Sequence, residues 1–174
     1  PESVTLGIRR DVVSVDRMFS VDTEVATVLG YYTAEGFSRR SEGSFYQTTI
    51  AIPEDAPRRT LKRVLKESIG VEAFEENEWK ITVSSRLVGI LFTAVLGLGD
   101  RAEKKRIPDT LLAAPEPVLA AYLSAYFSGD GSVASDRAEI RASTVSDELK
   151  ADLVASLKRF GIVTTVYEET RRPD

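Results

Sequence analysis

The sequence predicts an α+β protein built from two pseudo-symmetric copies of one unit, each reading helix, hairpin, helix, hairpin, helix (αββαββα), with the second copy incomplete. Three observations predict it. Landmarks recur in one order at nearly one spacing: Gly30-Tyr31-Tyr32-Thr33-Ala34-Glu35-Gly36 is echoed 95 residues on by Ala125-Tyr126-Phe127-Ser128-Gly129-Asp130-Gly131. The run Leu65-Lys66-Glu67-Ser68-Ile69-Gly70-Val71 returns after 92 residues as Leu157-Lys158-Arg159-Phe160-Gly161-Ile162, and Phe74-Glu75-Glu76 after 93 as Tyr167-Glu168-Glu169. Helical and two-residue hydrophobic periods alternate in matching order in both copies. The chain has 174 residues, 43% hydrophobic and 29% charged, enough for one substantial core or two small ones.

In the first copy Val25, Val28, Leu29 and Tyr32 recur at helical spacing behind Asp22, an N-cap residue, and Gly36 stops the helix as a left-handed cap. A hairpin follows, residues 37–40 and 45–52 around Ser41-Glu42-Gly43-Ser44, ended by Pro53. Leu61, Val64, Leu65 and Ile69 mark a second helix, ended by Gly70. Residues 71–74 and 79–83 read as a second hairpin joined through the polar Glu75 to Glu78, and residues 86–98 as an apolar third helix stopped by Gly97 and Gly99. The second copy opens with a helix over 118–128, admitted by Pro115 and Pro117. Strands at 131–134 and 138–145, a helix through Leu149, Leu153, Val154 and Leu157 capped by Ser146 or Asp147, and a strand at 162–169 complete it.

Composition excludes several chemistries. With no cysteine and no histidine, disulfides, thiolate or imidazole zinc sites, cysteine nucleophiles and histidine bases are impossible. No apolar run is long enough to span a membrane and the amino terminus lacks a signal pattern, so the expected location is cytoplasmic. Carboxylates, lysine, arginine, hydroxyls and a hard metal remain. A net charge of −4 argues by its total against a nucleic-acid partner.

Both echoed helices end in an acid followed by glycine, Glu35-Gly36 and Asp130-Gly131. A carboxylate at a helix C-terminus opposes the macrodipole by roughly 0.3–1 kcal/mol, and having it twice at matched positions points to a use. Each pair alone also reads as a plain helix stop. Small residues four apart, Gly30 and Ala34 in one helix and Ala125 and Gly129 in the other, allow close approach, which would set Glu35 beside Asp130. Two carboxylates there suit Mg²⁺ with water and phosphate oxygens. They also suit glycoside hydrolysis, for which the sequence offers little aromatic stacking surface.

These two stretches, Val28 to Gly36 and Leu123 to Gly131, resemble the paired dodecapeptide motifs of the LAGLIDADG homing endonucleases, and Lys105-Arg106-Ile107-Pro108, 25 residues before the second acid, resembles the Lys-x-Ile-Pro element of intein-encoded members. The resemblance implies a monomeric pseudo-dimer, with residues 22–109 as the first repeat, 110–174 as a truncated second repeat and 1–21 as a linker from a preceding splicing domain. It further implies motif helices packed at the interface, a β-saddle over double-stranded DNA, and Glu35 and Asp130 binding Mg²⁺ or Mn²⁺ beside the scissile phosphate. By the same resemblance Lys105 helps to position or activate the attacking water. As part of the basic run Lys104-Lys105-Arg106 it also reads as solvated surface or a phosphate contact.

Arg39, Arg40, Ser44, Tyr46 and Thr48 of the first hairpin, and Arg137, Glu139, Arg141 and Ser143 of the second, are the expected DNA-contacting set, because a two-stranded ribbon fits the major groove. Alternation sets the last four opposite Ala138, Ile140 and Ala142. Arg58, Arg59, Arg171 and Arg172 are candidates for further phosphate contacts. Motif one carries glutamate where the name motif has aspartate, motif two has Ala125 in place of Gly30, and a second-copy counterpart of Lys105 falls near residue 198. The chain lacks the nucleophilic first residue and the histidine and asparagine of a splicing element, which leaves the nuclease portion of a larger intein. Sixteen arginines against seven lysines suggest a GC-rich, archaeal source. A degenerate DNA-binding remnant, or a maturase-like or regulatory module of the same fold, is the alternative.

Overall fold

The computed structural model describes residues 3–6, 13–16, 18 and 20–168, residue 137 excepted. Within the expected linker, β1 (Ser3–Leu6) and β2 (Val13–Asp16) pair as an antiparallel ribbon. Helix α1 (Thr23–Glu35) starts at Asp22, whose carboxylate accepts from the Glu24 and Val25 N–H groups at 3.0 and 2.9 Å. Its end differs from the expected left-handed glycine. Gly36 is extended (φ −98°) and opens β3 directly, and it is glycine because a Cβ there would press on the Tyr32 ring and lie 2.6 Å from the Tyr32 carbonyl.

Strands β3 (Gly36–Ser41) and β4 (Ser44–Ala51) form the first hairpin, with Glu42 and Gly43 both at positive φ as a tight two-residue turn demands. Helix α2 (Asp55–Val64) runs on through one π-helical turn, Leu65–Ile69, and ends at left-handed Gly70. The second hairpin is β5 (Phe74–Asn77) and β6 (Lys80–Val83). The expected first strand at 71–74 is therefore displaced: Val71 and Ala73 are buried outside any strand, and the polar Glu75 and Glu76 form an exposed edge strand. The sheet is antiparallel in the order β3-β4-β6-β5. Helix α3 (Arg86–Ile90), capped by Ser85, closes with a π turn at Leu91–Val95.

A 3₁₀ turn (Ala102–Lys104) and short α4 (Asp109–Leu112) lead to α5 (Glu116–Asp130). Then β7 (Ser132–Val133), β8 (Ile140–Arg141) and α6 (Asp147–Arg159) follow, and the Ser146 hydroxyl, not Asp147, caps α6 by accepting from the Leu149 N–H. The strands expected at 131–134 and 138–145 shrink to two residues each, and 162–168 form no strand. The physical reason lies in pairing. In the first copy β4 is held between β3 and β6, whereas β8 pairs with β7 alone among the described residues, and an isolated ribbon is marginal.

One continuous core joins the copies. Val25, Val28, Leu29 and Tyr32 of α1 pack with Ile50, Ile81 and Val83 of the sheet and with Leu61 and Leu65. Phe92, Ile107, Leu111, Leu119, Tyr122, Tyr126 and Leu149 continue the same cluster. Among the described residues no helix is long and apolar enough to cross a membrane.

Candidate active site

Among the described residues the α1–α5 seam is the most extensive helix contact. Its closeness rests on small residues paired crosswise. A Cβ on Gly30 would press on the Tyr122 carbonyl and lie 2.8 Å from the Ala125 Cβ, and one on Gly129 would lie 2.7 Å from the Ala34 Cβ. Between these contacts the Tyr122 hydroxyl donates to Thr33 Oγ1 at 2.8 Å, and that hydroxyl in turn donates to the Leu29 carbonyl at 2.9 Å.

The seam delivers Glu35 and Asp130 to one end. The Gly129 Cβ position lies 3.3 Å from Glu35 Cγ, next to Asp130 in the chain. Glu35 is raised above the usual carboxylate range by partial burial and by the Asp130 charge. Asp130 is raised by burial, against which the Tyr126 hydroxyl and the Lys105 ammonium act. The two acids resist simultaneous ionisation, as like charges at close range do.

Lys105 is not solvated surface. Only 4% of it is exposed; Nζ donates to the Tyr32 carbonyl at 2.6 Å and lies 3.6 Å from the centre of the Tyr32 ring. Burial pulls its pKa down to about 7, opposed by the charges of Asp100 and Asp130. Its segment is clamped from both sides: Ser146 Oγ donates to the Lys105 carbonyl at 2.6 Å, and the Ile107 N–H donates to Asp152 at 3.0 Å. Tyr32, pushed up to about 12 by burial, shares a hydroxyl network with Ser38 and Thr48 and donates to the Gly99 carbonyl at 2.9 Å.

Sequence reasoning missed two groups here. Asp100 is 9% exposed, and its charge opposes the burial that lowers Lys105. The buried Tyr126 hydroxyl lies one turn before Asp130 and acts on its carboxylate. The Gly-rich stretch 97–100 was the available signal for the first, and the echo of Tyr31 in Tyr126 for the second.

Whether the site fits a divalent cation can be judged from its donors. Among the described residues no group of three or more acidic side chains converges, so the protein offers two carboxylates. Two mutually repelling oxygen donors fit a hard cation that keeps water and phosphate ligands. The adjoining aromatics Tyr32 and Tyr126 are buried in the core and present no sugar-stacking face.

The first hairpin divides the expected DNA contacts. A bulge between Arg39 and Arg40 shifts the strand alternation by one residue. Thr48 is consequently turned inward, 2% exposed and bonded to Ser38 at 3.0 Å, which corrects its placement on the DNA surface. Tyr46 remains exposed. Arg39 bonds Gln47 at 3.0 Å and approaches Glu76 at 3.8 Å, so Gln47 joins the candidate surface. Arg40 instead stacks on Phe45 and pairs with Asp100 at 3.2 Å. Arg58 is buried and donates to the Ile52 and Pro53 carbonyls, a structural tie in place of the expected phosphate contact. In the second hairpin Arg141 bonds Glu139 at 2.6 Å, and Arg141 and Ser143 are exposed. The expected opposite face is not a buried one, since Ala138, Ile140 and Ala142 are exposed too. Arg137, Arg171 and Arg172 lie outside the described residues.

Comparison with known proteins bears on this geometry. Residues 117–174 match the family described as LAGLIDADG-like domain. The chain is 38% identical over 163 residues to the DNA polymerase II large subunit of Thermococcus kodakarensis, covering 92% of this chain and 9% of that protein. It is 30% identical over 188 residues to the same-named subunit of Haloquadratum walsbyi, covering 99% of this chain and 8% of that protein. The chain thus spans about a tenth of the length of the curated relatives it matches. Crystal structures of I-DmoI in complex with DNA and Mn, and with DNA and Ca, share the fold at a TM-score of 0.59 and 13% identity, over 87% of this chain and 85% and 78% of theirs. Residues 117–174 are thus similar to a LAGLIDADG-like domain, and the paired helices with the antiparallel sheet flanking them share the fold of I-DmoI.

Proposed function

We propose that the chain is the nuclease portion of an intein and cuts double-stranded DNA site-specifically at the intein insertion site by divalent-metal-dependent phosphodiester hydrolysis. The observation that carries this reading is the meeting of Glu35 and Asp130 at one end of the helix seam, with the Lys105 amine buried under α1. When bound, Mg²⁺ or Mn²⁺ supplies Lewis-acid stabilisation of phosphate oxygens and makes water a competent nucleophile near neutral pH. Glu35 and Asp130 would hold that cation, with the Tyr126 hydroxyl acting on the Asp130 carboxylate. Lys105, with its pKa near 7, exchanges a proton at the pH of the reaction and so suits proton transfer from the attacking water. Arg39, Tyr46 and Gln47 on one hairpin, with Arg137, Glu139, Arg141 and Ser143 on the other, form the two halves of the groove-reading surface.

The intein setting is supported by the share of the polymerase subunits that the chain matches, about a tenth, the proportion of an inserted domain. A splicing domain and a polymerase host in cis are the implied partners, and archaeal relatives agree with the composition. The test is cleavage, with Mg²⁺ and with Mn²⁺, of a duplex spanning the uninterrupted junction of a DNA polymerase II large-subunit gene. Cutting at one site is expected, with Glu35→Gln and Asp130→Asn each lowering the rate by more than about 100-fold, the scale of losing one group that stabilises transition-state charge. A second reading, a DNA-binding module that does not cut, is favoured by the two-residue strands of β7 and β8. It prevails if the chain binds that duplex, never cuts it, and Glu35→Gln changes nothing.

A further inference from the structure

Two glutamates stand side by side on β5 and serve different faces of the sheet. Glu75 is in register with Ile81 and reaches back to Lys62 of α2 at 3.0 Å, on the side of the helices. Glu76 is the extra residue where the register shifts between Glu75 and Asn77, and a bulge of this kind re-aims a side chain. Its carboxylate lies on the face opposite the core, where Oε2 accepts from the Thr82 hydroxyl at 3.0 Å. Thr82 stands between the core residues Ile81 and Val83, and strand alternation turns it away from them.

A relay of hydroxyls holds that carboxylate and leaves one oxygen over. Thr49 and Thr82 are buried opposite each other on β4 and β6 with their hydroxyls 3.0 Å apart, and because the Thr82 proton goes to Glu76, Thr49 donates to Thr82. The direction of both hydroxyls is thereby set, which fixes the position of Oε2. The other oxygen, Oε1, lies 3.8 Å from Arg39 Nη2, beyond hydrogen-bond distance. Arg39 is fixed independently: Nη1 donates to Gln47 at 3.0 Å, and the guanidinium stands 5.2 Å from the centre of the Phe37 ring. The Arg39 and Glu76 side chains are 36% and 35% exposed. A guanidinium with N–H groups to spare and a carboxylate oxygen with open lone pairs thus stand next to each other at the surface.

Donors beside an acceptor match the edge of one base pair. In the major groove G·C shows two acceptors, guanine N7 and O6, and then one donor, the cytosine N4 amine. We infer that Arg39 and Glu76 together read a single G·C pair in one orientation, Arg39 donating to guanine O6 and N7 and Glu76 Oε1 accepting from cytosine N4–H. The other three pairs fail at one group or the other. Oε1 meets thymine O4 in A·T and guanine O6 in C·G, both acceptors, and Arg39 meets the thymine methyl in T·A. A carboxylate on this face repels phosphates and weakens binding to every sequence, so its fixed place beside the arginine serves discrimination, not affinity. The assignment rests on the major-groove reading of the hairpins given above and does not require cleavage.

The experiment selects duplexes bound by the whole 174-residue chain, without divalent metal, from a library of random sequence and counts them by sequencing. The parent enriches a motif that contains a G·C pair preferred by about 5- to 150-fold over the other pairs. Arg39→Gln and Glu76→Gln both lose that preference at the same pair and keep the rest of the motif, while Glu75→Gln keeps it all. In the selected duplex, N4-methylcytosine at that pair weakens binding by the parent and not by Glu76→Gln. A Glu76→Gln motif identical to the parent's, with tighter binding to all sequences alike, makes Glu76 a plain counter-charge and overturns the assignment. Loss at a different pair from Arg39→Gln, an equal loss in Glu75→Gln, or an equal effect of the methylated base on parent and variant overturns it too. Should Arg39→Gln not fold, Glu76→Gln with the methylated base decides by itself. A parent that enriches no motif sinks the site-specific reading along with the assignment, whereas a parent motif indifferent to Glu76 sinks the assignment alone.

Discussion

Glu35 and Asp130 are held in the folded chain against their own charge. Both are raised above the ordinary carboxylate range, so the native state binds more protons than the unfolded chain in the window just above that range. Stability therefore falls as pH rises through the window and stays lower at neutral pH, the reverse of an ion-paired carboxylate. Glu35→Gln and Asp130→Asn are expected to raise the Tm at pH 7, by a small amount because solvent screens both part-exposed groups, and to leave it unchanged near pH 3. Calorimetry without divalent metal at the two pH values checks this; a lower Tm at pH 7 would mean the carboxylates are structural. Both acids and Lys105 stood out in the sequence because a chain without histidine or cysteine has few groups left to do chemistry. Asp100 and Tyr126 did not, because nothing in their types distinguishes them until the fold buries both beside Lys105 and Asp130.

At the scale of elements, the helix pair was legible because its signals are local: Asp22 as cap, apolar spacing in α1, prolines at the start of α5 and small residues four apart. Strand placement was less so. Glu75 and Glu76 read as a loop by polarity, yet an edge strand needs only backbone partners, which β6 supplies. Thr48 was misplaced by a bulge that inserts one residue and leaves no mark in composition. The seam itself is open to test. Gly129→Ala drives a methyl into Ala34 and is expected to cost about 1–3 kcal/mol in urea unfolding, as overpacking does. Ala34→Gly in the same chain should restore most of that loss although it adds a second helix glycine penalty of about 1 kcal/mol when made alone. Two additive losses would show that the helices do not meet at these residues.

For the molecule as a whole, a total charge of −4 misleads, because the acidic side chains are not spread evenly. Glu75 and Glu72 on the β5 side are tied to Lys62 of α2 and Lys66 of the π turn after it at 3.0 and 2.7 Å, and Arg63 is bound by Glu24 and Glu67. Arg39 and Arg141 lie on the two hairpins, with carboxylate neighbours Glu76 at 3.8 Å and Glu139 at 2.6 Å. A duplex that lies along both hairpins displaces counterions at each arginine it contacts, so its affinity falls linearly on a double-logarithmic salt plot. Arg39→Gln and Arg141→Gln are each expected to weaken binding and to flatten that slope by about one, and Arg63→Gln to leave it unchanged. Fluorescence anisotropy with a labelled duplex across a series of KCl concentrations, without divalent metal, measures all three. If Arg63→Gln flattens the slope while Arg39→Gln and Arg141→Gln do not, the duplex lies on the α2 side, and the saddle formed by the hairpins is not the DNA surface.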